Sequence, residues 1–210
     1  MKKLYILILA AALCVNLTAC GGEKPVEPVE PIPADGEIQS GADSAARAAM
    51  DWEAAYEEKV NELEQENQEI YRSIFQCGTG EKILAVTSSV YADGESMEAD
   101  IYQYTDGEIY YLGSVSSTGT AYPLAFTEEA VLFGGNHTAG KLVVHDGTGE
   151  LYQLENMNIE GKTPVLEIYD IINGEKTLKS SEEISADEAD SYDYYTNAFA
   201  DEKAEMIIFQ

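Results

Sequence analysis

From residue 81 to residue 180 the chain repeats one pattern, a short run rich in Val, Ile, Leu, Tyr and Thr followed by a dipeptide that ends in glycine. Residues of these types favour strands, and Asp-Gly or Asn-Gly pairs favour the tight turns of β-hairpins. The dipeptides are Asp93-Gly94, Asp106-Gly107, Gly134-Gly135, Asp146-Gly147 and Asn173-Gly174. The pattern predicts an antiparallel β-meander over 81–180, folded as a curved sheet, a half-barrel or a sandwich.

The segment before the meander has a helical composition. Residues 43–75 are rich in Ala, Glu and Gln, contain no Pro or Gly, and begin with the capping residues Asp43 and Ser44. This predicts one long N-terminal helix over 43–77. Its apolar stripe, at spacings of three and four, consists of Ala49, Tyr56, Val60, Leu63, Ile70 and Ile74, with Glu53 and Asn67 as polar members. The stripe either packs on the domain's own sheet or forms a coiled coil with a second copy.

The C-terminal segment, 181–210, is acidic and rich in tyrosine. Ser185 and Glu188 have the spacing of a capping box, which predicts a short C-terminal helix, and the final residues are expected to return as a last strand. The whole of 43–210 is therefore predicted to form a single α+β domain, with the long helix, the β-meander and this segment in that order.

Part of the C-terminal segment is the candidate surface for a ligand or a cation. Six acids lie within twelve residues there, and solubility alone does not require aromatic residues among them. The candidate residues are Glu182, Glu183, Asp187, Glu188, Asp190, Asp193, Tyr192, Tyr194 and Tyr195. Because the acids lack the ligand spacing and the glycine of an EF-hand, no metal site is assigned, and the alternative is a solvated acidic face.

The first nineteen residues have the organisation of a secretory signal peptide. Lys2 and Lys3 form a positive n-region, and the apolar run over 4–15 is too short to span a bilayer. The signal peptide is therefore predicted to cover 1–19.

The end of that signal, Leu17-Thr18-Ala19-Cys20, resembles the lipobox of bacterial lipoproteins. The resemblance implies cleavage between Ala19 and Cys20 and a diacylglyceryl group on the Cys20 thiol. Two fatty acyl chains, such as palmitate, hold a protein stably to a membrane, whereas one chain does so only marginally. The alternative is a secreted protein without lipid.

Residues 20–42 are predicted to be the lipidated cysteine and a Pro/Glu-rich tether. The stretch 21–41 holds four of the six prolines of the chain and has no periodic apolar pattern. Such a composition favours extended polyproline II and cannot bury a core.

The charge of the chain excludes several classes of partner. Removal of the signal peptide leaves ten basic and 39 acidic residues, a formal net charge of −29. Nucleic acid and anionic lipid surfaces are repelled by such a chain, so no nucleic acid partner is predicted. A cation or a neutral sugar remains compatible with this charge.

The sequence predicts no catalytic residue and no cofactor, because it contains none of the common catalytic or nucleotide-binding motifs. Cys77 has no neighbouring base and is read as a buried thiol rather than a nucleophile. His137 and His145 lack a third ligand for a metal, and are read as ordinary loop and strand residues. The fourteen tyrosines are either core residues or a platform for stacking sugars.

The layout of lipobox, Pro/Glu tether, helix and β-meander resembles that of small surface lipoproteins of Gram-positive bacteria. The resemblance implies a protein anchored to the cell membrane by lipid on Cys20 and facing the extracytoplasmic side. The expected function is a non-catalytic binding or interaction module for a wall component or another surface protein. The alternative is a hydrolase that acts on the cell wall with carboxylates that the sequence does not single out.

Overall fold

The structure, a computed structural model, describes residues 51–66, 69–78, 82–91 and 93–210. All of them fall within one compact unit, Gln39–Gln210. The predicted signal peptide, Cys20, the tether and the N-terminal part of the predicted helix, 43–50, lie outside the described residues.

The described residues form three short helices, one 3₁₀ helix and eleven strands. In chain order these are α1 (Trp52–Glu66), β1 (Tyr71–Gln76), β2 (Lys82–Thr87), β3 (Glu98–Thr105), β4 (Glu108–Ser116), β5 (Ala125–Phe126), β6 (Ala130–Gly135), β7 (Thr138–His145), β8 (Thr148–Glu155), β9 (Val165–Ile172), β10 (Glu175–Glu183), α2 (Ala186–Ala189), the 3₁₀ helix (Asp190–Tyr192), α3 (Tyr194–Ala200) and β11 (Glu205–Met206).

The predicted α+β class with a long N-terminal helix is wrong, because the domain is mostly β. Within the predicted helix 43–77, α1 ends at Glu66 and Tyr71–Gln76 form β1. In and after β1 the burial alternates, since Phe75 and Cys77 are buried while Ile74 and Gln76 are exposed. This period of two is that of a strand, and pairing with β2 outweighs the local helical composition.

The strands form two antiparallel sheets. Sheet 1 has the order β1-β2-β3-β4, and sheet 2 has the order β10-β9-β8-β7-β6-β5-β11. Each sheet follows the chain as a meander, except that β11 returns to pair with β5 at the edge of sheet 2.

The main core lies between the two sheets. Sheet 1 contributes Phe75, Ile83, Ala85, Ala99, Ile101, Leu112 and Val115, and sheet 2 with its flanking segments contributes Leu124, Val131, Phe133, Leu142, Val144, Leu151, Ile171, Ile207 and Phe209. Smaller clusters lie on the outer faces, where α1 covers sheet 1 and the C-terminal helices cover sheet 2. The domain therefore has four layers, with a helix or helices outside each sheet.

The C-terminal residues close one side of the domain. The Ile207 amide donates to the Leu124 carbonyl at 3.0 Å, and the Phe209 amide donates to the Gly94 carbonyl at 2.7 Å. Gln210 and Arg72 exchange two backbone hydrogen bonds, so the chain end extends the edge of β1. The final residues thus connect sheet 2 to sheet 1.

Three of the five glycine dipeptides lie at hairpin turns. Asp106-Gly107 joins β3 to β4, Asp146-Gly147 joins β7 to β8, and Asn173-Gly174 joins β9 to β10. Asp106 and Asn173 have positive φ values of 52° and 51°, as the first residue of a type I′ turn requires.

The turn predicted at Gly134-Gly135 is wrong, because both residues end β6 and are buried. A Cβ atom at Gly135 would overlap the side chain of Thr118, whose amide donates to the Gly134 carbonyl at 2.7 Å. Glycine is required there by the close approach of a neighbouring segment rather than by a turn.

Candidate functional site

Tyr56 fixes α1 on the outer face of sheet 1. Its side chain is 1% exposed, and its hydroxyl donates to the Lys82 carbonyl at 2.5 Å. The same hydroxyl accepts a 2.8 Å hydrogen bond from the Tyr104 amide. Val60 is buried and Leu63 half-buried in the same cluster, so the part of the apolar stripe that lies in α1 packs on the domain's own sheet.

A groove of about 330 Å³ lies between α1 and the β3–β4 hairpin. Its lining is formed by Ala55, Glu58, Lys59, Glu62, Tyr102, Tyr104, Gly107, Glu108, Ile109 and Tyr111. We call this feature the tyrosine groove.

The floor of the tyrosine groove is aromatic. Tyr102 and Tyr104 are two residues apart on β3 and therefore point to the same face of the sheet. The rings of Tyr102 and Tyr111, on adjacent strands, have centroids 5.1 Å apart and planes tilted by 37°. Burial raises the pKa of both Tyr102 and Tyr111, so both phenols are neutral at physiological pH.

A polar network extends from this floor. The Tyr111 hydroxyl donates to the Asp100 carboxylate at 2.9 Å, and its oxygen lies 2.9 Å from the Ser114 hydroxyl oxygen. Ser114 also donates to Asp100. Asp100 and Ser114 line a second hollow of about 280 Å³, so Tyr111 connects the groove to a neighbouring polar site.

The rim of the tyrosine groove is acidic. Glu58 and Glu62 lie one helical turn apart on α1, and Glu108 lies on the hairpin. Lys59 is the single basic residue among the described residues of the lining. Its ammonium lies 3.2 Å from the Glu62 carboxylate and 5.6 Å from the centre of the Tyr102 ring. The arrangement disfavours phosphate-rich or polyanionic ligands and accommodates neutral or cationic ones.

The acidic segment predicted as a ligand or cation surface covers the outer face of sheet 2. Glu182 and Glu183 end β10, and Asp187 lies in the first turn of α2. Asp190 begins the 3₁₀ helix. The predicted capping box is present, since the Ser185 side chain accepts from the Glu188 amide and the Glu188 carboxylate accepts from the Ser185 amide.

Asp193 caps α3 by accepting a 3.1 Å hydrogen bond from the Thr196 amide. The acids at 188 and 193 therefore have a structural role as helix caps. Among the described residues no three His, Cys, Asp or Glu side chains come together as a metal site requires. Cation or ligand binding by this surface stays a prediction.

The three tyrosines of that segment pack against sheet 2. Tyr195 is buried, and its hydroxyl donates to the Pro123 carbonyl at 2.7 Å. Tyr194 is half-buried, and the Lys141 ammonium lies 4.4 Å from the centre of its ring and 4.7 Å from that of Tyr152. Tyr192 is also half-buried, beside Tyr194. These contacts explain why aromatic residues lie among the acids, because the tyrosines pack the C-terminal helices against sheet 2.

The remaining candidates from the sequence do not form a site. Cys77 is fully buried, and burial raises the pKa of its thiol to about 12, which disfavours the reactive thiolate. His137 precedes β7 and His145 ends it, so the two histidines lie at opposite ends of one strand and cannot share a metal.

The tyrosine groove was not singled out by the sequence, because alternating tyrosines on strands are usually packing residues. The available signal was the pair Tyr102 and Tyr104 with Tyr111 just beyond a tight turn. What the sequence could not supply was the position of α1, whose glutamates form the opposite wall.

No helix in the described part of the chain is long and apolar enough to cross a membrane. Comparison of the chain with family models, with curated proteins and with solved structures finds no match.

Proposed function

We propose that the protein is a lipid-anchored extracytoplasmic lipoprotein whose β domain is a non-catalytic binding module. The signal organisation of residues 1–19 and the lipobox-like Leu17–Cys20 support the anchor. The Pro/Glu-rich stretch after Cys20 supports a tether that separates the domain from the membrane. On this proposal the domain faces the cell wall.

We infer that the tyrosine groove binds a neutral or cationic saccharide of the wall. The observation that carries this inference is an aromatic floor of Tyr102, Tyr104 and Tyr111 beneath an acidic rim. Small-molecule sites combine apolar and aromatic walls with a few polar groups that fix orientation. The flat faces of sugar rings fit such a floor, and the rim carboxylates accept hydrogen bonds from hydroxyl or amino groups.

Charge gives the first test of the saccharide proposal. The full chain is titrated with three oligosaccharides of equal length, namely an N-acetylglucosamine tetramer, its deacetylated cationic form, and a sulfated polyanionic tetramer. We expect the neutral or the cationic tetramer to bind and the polyanionic one not to bind, because the groove has three acids against one lysine. Preferential binding of the polyanion would contradict the proposal.

Tyr111→Ala gives the second test. It removes part of the aromatic floor, and we expect about tenfold or greater weakening of saccharide binding, as for aromatic anchors elsewhere. Tyr91→Ala is the matched control, since Tyr91 is exposed and does not line the groove. Melting curves of both variants verify folding, and equal affinity of the two variants would contradict the assignment of the groove.

The alternative of a wall-acting hydrolase draws on the same rim, because Glu58, Glu62 and Glu108 place several carboxylates around one groove. Glycoside hydrolysis requires two carboxyl groups that flank the scissile bond. Incubation of the neutral tetramer with the protein distinguishes the two functions. The binding module leaves the tetramer intact, whereas a hydrolase releases shorter sugars, and Glu108→Gln would then abolish the release if Glu108 takes part.

A further inference from the structure

A third hollow, of about 220 Å³, opens between the two sheets on the side away from the C-terminal closure. Sheet 1 ends there at β4, whereas sheet 2 continues through β8, β9 and β10. The uncovered inner face of sheet 2 and the edge of β4 enclose the hollow. We call this feature the inter-sheet cleft.

The inner walls of the inter-sheet cleft are apolar and continuous with the main core, whereas Ser114, Ser116 and Gln153 contribute polar groups to the lining. The apolar walls are formed by Leu112, Val115, Phe133, Leu142, Leu151 and Ile171, all of which belong to the core between the sheets. An apolar ligand in this cleft would therefore be buried against apolar side chains of the main core.

The edge of β4 is irregular where it borders the inter-sheet cleft. Pairing with β3 shifts register there, since Ile101 lies opposite Gly113 and Tyr102 lies opposite Tyr111. Leu112 is thus the extra residue of a β-bulge, and Gly113 has a φ of 97°. Bulges of this kind redirect side chains and are frequent beside binding sites.

A lysine lies at the mouth of the cleft. Among the described residues that line the cleft, Lys176 on β10 is the only charged one. Its ammonium donates to the Gln153 side chain and lies 3.7 Å from the centre of the Tyr169 ring. Both of these close partners, Gln153 and Tyr169, are neutral. In the described part of the chain, Glu167 and Glu155 also act on the ammonium, but from beyond ion-pair distance.

The neighbouring lysine on β10 has a different environment. Lys179 forms ion pairs with Glu150 and with Asp170, the latter at 3.4 Å. Its charge is therefore already compensated by two carboxylates. Lys176 lacks such a partner within ion-pair distance in the described part of the chain, and partial burial of its ammonium lowers the pKa of its side chain.

We propose that the inter-sheet cleft binds a small amphiphile with one anionic head group, such as a medium-chain carboxylate. The apolar chain lies between the sheets, and the head group accepts hydrogen bonds from the Lys176 ammonium and the Gln153 amide. The charge of Lys176 against uncharged walls is what favours an anionic amphiphile over a neutral or cationic one. This site is separate from the tyrosine groove and does not depend on its function.

The test uses the full chain with Cys20→Ser as a lipid-free background and sodium octanoate as the probe. Calorimetry should show octanoate binding, and Lys176→Met should weaken it about tenfold because a charge-assisted hydrogen bond is lost. Lys176→Arg should retain binding, and Lys179→Met, on the same strand, should leave it unchanged. Melting curves of the variants verify folding.

Two further measurements locate the ligand and define its charge. Methyl resonances of Leu112 and Leu151 should shift on addition of octanoate, whereas octan-1-ol and octyltrimethylammonium should bind more weakly. The proposal is overturned if octanoate does not bind, if Lys176→Met binds it like the parent chain, or if either uncharged or cationic octyl probe binds as tightly as octanoate.

Discussion

Phe209→Ala is expected to lower the free energy of unfolding by about 3–5 kcal/mol, the usual cost of truncating a buried aromatic side chain to alanine. Phe209 is 3% exposed and belongs to the core between the sheets, one residue from the end of the chain. Its amide is held by the Gly94 carbonyl, so the ring is fixed between segments of both sheets. For a domain of this size each kcal/mol corresponds to about 2–4 °C in melting temperature, which thermal unfolding readily resolves.

The adjacent residue provides the control for Phe209→Ala. Ile208 is 43% exposed, and Ile208→Ala should change stability by no more than about 0.5 kcal/mol, as is usual for surface substitutions. If both substitutions lowered the melting temperature equally, the chain end would not close the domain as described.

Cys20→Ser is expected to remove the protein from the membrane fraction almost completely. On the proposed anchoring, the Cys20 thiol carries the acyl chains, and each buried CH₂ of those chains contributes about 0.8 kcal/mol to membrane binding. Without the thiol the protein is either released to the medium or retained as a precursor with its signal peptide. Cell fractionation followed by mass measurement of the product distinguishes these forms from the lipidated one.

Cys14→Ser is the matched control, because Cys14 lies in the apolar part of the signal and leaves with it. That variant should fractionate with the membrane like the parent. A Cys20→Ser protein of mature size in the membrane fraction would contradict the lipid anchor.

The Asp-Gly and Asn-Gly hairpin turns of this fold are predictable from the sequence, whereas the boundary of the first helix is not. Asp106-Gly107 and Asn173-Gly174 form hairpin turns because their backbone angles are ones that few other residue pairs adopt without strain. A turn of this kind is decided by its own residues. Sequence reasoning is reliable for such features.

The sequence pattern predicts the end of a helix where β1 lies, because formation of β1 depends on a distant partner strand. Residues 71–76 follow a helical segment, and their apolar residues fit a helical stripe only with polar members included. In the structure they pair with β2 and complete sheet 1. Pairing with a distant strand overrides local propensity, and the spacing of apolar residues along the chain does not reveal it.

The tyrosine groove is not evident from the sequence for a related reason. Tyr194 and Tyr195 are prominent in the sequence because acids surround them, yet they pack on sheet 2. The tyrosine groove needs α1, β3 and β4 together, and Glu58 lies 50 residues before Glu108 on the opposite wall. The sequence shows both residues but not that they face one groove.

The most direct test of the proposed function is an NMR titration of the full chain with the N-acetylglucosamine tetramer or its cationic form. The account predicts that shifts concentrate at Tyr102, Tyr104 and Tyr111 on sheet 1 and at the helix residues Glu58 and Glu62. Shifts confined to the C-terminal helices around Tyr192, or none at saturating sugar, would contradict the tyrosine groove as the binding site.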